Sequence, residues 1–139
     1  MDKEKFVLRD IQSTPLIERE LGSYWRVVTD STHSPAVNFA MLELKKPTVP
    51  KRYKTATEIW VLQLGKVLLR IFKEDGTLET VETLEHNGTV IVIHPGTIFQ
   101  VVPIFKRLFA ARVLLVVLSA PAWSEQDEET FTFPGFRMT

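Results

Sequence analysis

The chain has 139 residues, enough for one domain with a real hydrophobic core, and its 17 basic and 17 acidic residues cancel. That balance leaves no basic field for nucleic acid or for an anionic membrane surface. The chain has no cysteine, which excludes disulfides, thiolate nucleophiles and cysteine-held metal centres.

The first ten residues alternate charge with apolar groups and lack the apolar core of a secretory signal. No apolar run approaches the about 20 residues that span a bilayer, so a soluble, cytoplasmic protein is expected. A short strand is predicted over residues 6–8. Thr14 can then act as N-cap, Pro15 fits a first helical position and Gly22 can close a C-terminus, which predicts one short N-terminal helical turn. Residues 24–29 and 37–44 read as strands separated by D-S-T-H-S-P, whose His33 is expected to be solvated.

The stretch from Val49 to Gly65, V-P-K-R-Y-K-T-A-T-E-I-W-V-L-Q-L-G, reads as one strand continuing to Phe72. It places charged side chains at the head of an apolar run, and an ionised group in an apolar interior needs a partner, a ligand or a metal. Asp75-Gly76 and Asn87-Gly88 predict hairpin turns. Between them, residues 77–84 alternate strictly and predict a strand with one face in water. Residues 90–93 form a branched strand, His94-Pro95-Gly96 breaks it, and residues 98–102 resume. Residues 113–118, V-L-L-V-V-L, are apolar on both parities and are expected to be covered on both sides.

Many short strands with almost no helix predict an all-β, antiparallel jelly-roll barrel in a single domain, its core over about residues 24–120. Residues 121–139 pass from an acidic run to an aromatic strip, expected to pack on the barrel or on a partner subunit. Open sheet edges and apolar strips are rarely left bare, so a homodimer is expected.

These residues resemble the cupin family, in particular its small single-domain members. In the family's first motif, G-x5-H-x-H-x3-or-4-E-x6-G, Glu58 and Gly65 fit the second half. V-P-K-R-Y-K-T is similar to the wording V-P-x-H-x-H-x, which places Arg52 and Lys54 on the two histidine positions with Tyr53 between them. In the second motif, Gly88 and His94-Pro95-Gly96 lead to Phe99 where the family has its last histidine, with Pro103 in place of the asparagine. P-A-W-S-E-Q-D-E-E is similar to the ending P-P-W-x-x-x-D-E. The resemblance spans residues 37–129 and implies the barrel fold. It does not carry the family's metal: arginine and charged lysine offer no lone pair, and phenylalanine cannot coordinate. A register one residue earlier, with Lys51 and Tyr53 on the histidine positions, leads to the same conclusion.

Two readings of the interior stand. By a period of two, Arg52 and Lys54 share a face, and Glu58, Trp60, Leu62 and Leu64 share one further on. The bland reading is an internal ion pair replacing the metal. The functional one is a metal-independent, cofactor-free enzyme of the lyase, isomerase or cyclase kind. Glu58 and Lys54 would be its acid–base pair, and Arg52 would anchor a small acid, enolate or phosphate. Trp60, Phe99 and Tyr53 would line the ligand's apolar side, and His94 would bind substrate or shuttle protons. The alternative is a non-catalytic module that binds or senses a small ligand. Lys106-Arg107 reads as an ordinary loop.

Overall fold

The computed structural model describes residues 5–105 and 112–132. They build two antiparallel sheets that face each other as a jelly roll. One has six strands in the order β1 (Ile17–Glu20), β2 (Ser23–Val27), β3 (Asn38–Leu44), β10 (Leu114–Ala120), β5 (Thr57–Leu64) and β8 (Val90–Ile93). The other has five: β11 (Glu128–Thr130), β4 (Lys51–Tyr53), β9 (Ile98–Ile104), β6 (Lys66–Phe72) and β7 (Leu78–Leu84). Between them lies one core in which Leu42, Leu62 and Leu115 of the first sheet meet Val67, Phe99 and Val101 of the second, all fully buried. No described helix is long and apolar enough to cross a membrane.

The N-terminal expectations need correction. Among the described residues, 6–8 join no strand ladder, and Phe6 and Leu8 are exposed. The helical turn is a 3-10 turn at Ile11–Ser13, where the Asp10 side chain accepts from the Gln12 N–H at 2.9 Å. The residues expected to be helical instead form β1, with Ile17 opposite Trp25. Gly22 serves this hairpin and not a helix end. It stands at φ +83°, its N–H donates to the Glu18 carboxylate at 3.1 Å, and a Cβ there would lie 2.5 Å from the Lys46 Cβ.

The stretch expected to be one strand is three. β4 belongs to the five-stranded sheet, β5 to the six-stranded sheet, and β6 to the five-stranded sheet again. Gly65, at φ +96° and with no room for a Cβ beside the Arg112 carbonyl, makes the second crossing. The first is held by Asp127. Its carboxylate accepts from the N–H and hydroxyl of Thr55 at 2.8 and 2.7 Å and from the Ala56 N–H at 3.1 Å, while its carbonyl accepts from the Lys54 N–H at 3.0 Å. These bonds satisfy backbone donors that no ladder serves at the crossing.

β7 is an edge strand, exposed along both faces until Leu84, so its alternation does not mark a buried side. β10 lies between β3 and β5. Its inner side chains Leu115, Val117 and Ser119 are buried, but Leu114, Val116 and Leu118 on the outer face are only half-buried. The expected cover on both sides is therefore partial. Lys106-Arg107 and the last phenylalanines of the aromatic strip, Phe133 and Phe136, lie outside the described residues.

Candidate active site

A cavity of about 430 Å³ opens between the sheets, walled by Trp25, Tyr53 and Val117 and by the polar groups of Lys51, Glu58 and Ser119. Parity within each strand determines what faces it. On β4 the buried positions are Lys51 and Tyr53, and on β5 they are Glu58, Trp60 and Leu62. The crossing at residues 54–56 shifts the alternation by one, from odd to even numbers.

That shift corrects the expected cluster. Arg52 points away from the cavity, bonded to Glu129 at 3.0 Å and to Glu74, with its guanidinium 5.1 Å from the Phe131 ring centroid. Lys54 is exposed, and its ammonium approaches the Gln126 carbonyl at 3.5 Å. Neither cation meets Glu58. The slipped register is the one the protein adopts, with Lys51 opposite Phe99 in the β4/β9 pair. His94 is exposed on its turn and does not reach the cavity.

Tyr53 lines the cavity, whereas Trp60 and Phe99 stand behind the lining residues, both fully buried. Trp60 meets Trp25 and Phe99 edge-on, at 6.0 and 5.7 Å between centroids. Its indole N–H donates to Glu58 Oε1 at 3.3 Å, so Trp60 holds the carboxyl and does not form the wall of a ligand site.

Glu58 is 2 % exposed, and its second oxygen, Oε2, has no hydrogen-bond partner among the described residues. Burial pushes its carboxyl up to about 7, against the opposing pull of Ser119, Trp60 and the Lys51 charge. Ser119 faces Glu58 across the β5/β10 ladder, but its hydroxyl proton goes to the Pro121 carbonyl at 3.1 Å. A carboxyl that is half neutral near pH 7, with one oxygen unbonded, on a residue that lines a cavity, can give and take a proton there.

Around it runs a chain of groups of which the sequence named only Tyr53 and, in the slipped register, Lys51. Lys51 is 4 % exposed and reaches Glu20 at 2.8 Å and Glu128 at 3.5 Å. Glu20 also accepts from the Val49 N–H at 2.7 Å, and Glu128 from the Tyr53 hydroxyl at 3.1 Å. Burial and the charges of Glu58 and Glu128 raise Tyr53 well above the usual phenol range, so it stays a donor. Glu20 and Glu128 come from β1 and β11, the strand read as a helical turn and the acidic run read as tail. Only a period-two pattern in I-E-R-E pointed toward the first.

No family model matches the chain, and no curated protein matches it by sequence. Solved structures do. Pac13 of Streptomyces, a nucleoside dehydratase, superposes with a TM-score of 0.69 at 12 % identity over 91 % of this chain and 92 % of its own. KdgF from Halomonas sp. gives 0.66 at 14 % identity over 84 % and 96 %. Oxalate decarboxylase of Bacillus subtilis gives 0.71 at 14 % identity over 94 % of this chain and 34 % of its own. These neighbours are cupin-type proteins, and the fold of this chain is the small cupin barrel.

Cupins commonly hold a metal, and the residues here do not fit one. In the observed register the ligand positions carry Lys51, Tyr53, Glu58 and Phe99. The lysine is ion-paired, the phenol donates its proton to Glu128, and the phenyl ring has no lone pair. Among the described residues no group of three or more His, Cys, Asp or Glu side chains is placed to hold a metal ion.

Proposed function

We propose that the barrel is a metal-independent acid–base site for a small organic molecule, of the lyase, isomerase or cyclase kind, with Glu58 as the group that moves the proton. The observation that carries this is the buried Glu58 carboxyl, whose Oε2 is unbonded beside a cavity large enough for a ligand. A purely structural carboxylate would be paired, and an ion pair of the bland kind exists here without it, between Lys51 and Glu20.

In an elimination, Glu58 as carboxylate takes a proton from carbon and returns it to the departing hydroxyl, which leaves as water. In an isomerisation it returns the proton to a second carbon. The Lys51 charge favours the ionised form of Glu58 that takes the proton, while the Trp60 N–H fixes the carboxyl's orientation. Nucleoside dehydration by Pac13 and the solution of its variants with uridine support a small-molecule reaction of this kind in such a barrel. The catalytic trio read from the sequence is thereby replaced by Glu58, Lys51 and Tyr53.

The test incubates a small-metabolite extract with the full chain and with Glu58→Gln, each with and without a chelator, and follows the compounds by mass and retention. The expected result is a compound converted by the wild type, chelator present or not, and left alone by E58Q. Conversion that survives E58Q, or that needs added metal, overturns the proposal.

A homodimer is part of the same proposal. It is supported by the outer face of the six-stranded sheet, where Phe39, Met41, Ile59, Val116 and Leu118 are half-buried beside the exposed Val90 and Val92. A native mass of one chain would contradict it.

A further inference from the structure

The cavity wall is acidic. Five of its ionisable residues are carboxylic acids and two are bases. The two bases do not offset that excess. Lys51 is held between Glu20 and Glu128, and the Arg19 guanidinium lies over the Trp123 ring, 3.8 Å from its centroid. The net field therefore opposes any new negative charge, in a site whose low-dielectric walls focus it.

Three of the five carboxylates, Glu20, Glu128 and Asp30, already have protein donors, which weakens their call for a cation. Glu20 is bonded to Lys51 and the Val49 N–H, and Glu128 to the Tyr53 hydroxyl. Asp30 is bonded to the N–H and hydroxyl of Thr32. Beside the exposed Glu125, what remains open are hydrogen-bonding groups. Glu58 Oε2 has no partner, and Asn38 uses its carbonyl oxygen on the Trp123 N–H at 2.7 Å, which leaves its NH2 without a protein partner among the described residues. Trp25, Tyr53 and Trp123 add aromatic surface to the wall. Hydroxyl groups on a ring match such a lining: they give and accept hydrogen bonds without charge, and the ring's C–H faces pack on aromatic side chains.

Resting on the reading of this cavity as the active site, we propose that it selects an uncharged, polyhydroxylated ring compound of the sugar or nucleoside class and rejects the phosphorylated or carboxylated forms of the same compound. The anion anchor expected from the sequence is thereby reversed.

All three tryptophans of the chain, Trp25, Trp60 and Trp123, stand at or directly behind the cavity wall, so their fluorescence reports its field. Quenching by acrylamide, caesium and iodide is compared at constant ionic strength on the full chain, each normalised to a free tryptophan derivative. Iodide is expected to quench at least about fivefold less than acrylamide and less than caesium. Iodide quenching equal to or above that of caesium overturns the proposal.

A second arm uses saturation-transfer NMR with ribose, glucose and uridine against ribose 5-phosphate, glucuronate and uridine 5′-monophosphate. Signal from at least one neutral compound and none from its anionic partner is expected. No signal from any neutral compound, or equal signal from an anionic partner, overturns it. The quenching arm reads the field whatever Glu58 does, so failure here and failure of E58Q to lose turnover are separate results.

Discussion

Lys51 of the five-stranded sheet and Glu20 of the six-stranded sheet form a 2.8 Å ion pair that joins the two layers at the cavity. Glu128 completes the set from the C-terminal strand, 3.5 Å from the same ammonium. Three strands far apart in sequence thus converge on one buried charge.

Removing that charge leaves two carboxylates facing each other. Lys51→Met is expected to cost ~2 kcal/mol, less than the ~3–5 kcal/mol of a fully buried broken pair because both partners keep access to cavity water. Adding Glu20→Gln to K51M is expected to recover part of the loss. Arg52→Gln, on the outer face, is expected to leave the denaturation midpoint unchanged. Urea titration of the four proteins checks the order, and equal losses for K51M and R52Q would contradict the placement.

Stability is expected to fall as pH rises through neutrality. The folded Glu58 carboxyl sits at about 7 while the unfolded one returns to 4.5, so between these values the folded state binds more protons. The contribution is fully present below pH 4.5 and lost as pH climbs through 7, in total on the order of 3 kcal/mol. Other groups superimpose their own slopes, so the quantity to measure is the difference from Glu58→Gln. That variant is expected to lose the 4.5–7 component and to be at least as stable as the wild type at pH 8, the trade of stability for function common at active sites. Identical pH profiles would contradict it.

Asp127 holds the crossing that puts Lys51 and Tyr53 on the inside. Asp127→Ala removes three bonds to Thr55 and Ala56 and is expected to cost ~1–3 kcal/mol, with the amide protons of residues 55 and 56 exchanging faster in native-state hydrogen exchange. Unaltered exchange at those two positions would show that the crossing is held by other means.

The same crossing shows why the barrel was legible in the sequence and its interior was not. Turn dipeptides and branched runs marked most of the strands and their order, because those signals are local. Side-chain direction is also local, but only within one strand. Residues 49–65 look continuous in hydropathy, and the switch of sheets at 54–56 depends on a carboxylate more than 70 residues away. The family resemblance put Arg52 and Lys54 on the two histidine positions and so inside, one residue out of the register that the strand before the switch adopts. Glu58 and Trp60 are buried as expected because they lie beyond the switch, on the even parity of β5, whereas Leu64 at the strand's end is exposed. The β1 hairpin was missed for a similar reason, since the space excluded at Gly22 is occupied by Lys46 of a distant loop.

On the proposed reading, turnover or ligand binding is expected to fall at least about a hundredfold in Glu58→Gln and Lys51→Met, the usual scale for loss of a proton-transfer or charge-stabilising group. Arg52→Gln and Lys54→Gln are expected to stay within about twofold. Steady-state assays on the converted compound separate the two pairs, and the reverse order would return the site to the outer face of β4.

The most direct measurement is a carbon-13 NMR titration of the Glu58 side-chain carboxyl, assigned by comparison with E58Q. A midpoint near 7 that moves upward in K51M is predicted, because burial holds the proton on and the Lys51 charge opposes it. A midpoint near the ordinary value of 4.5, unchanged in K51M, would contradict a proton-carrying Glu58 at the heart of the barrel.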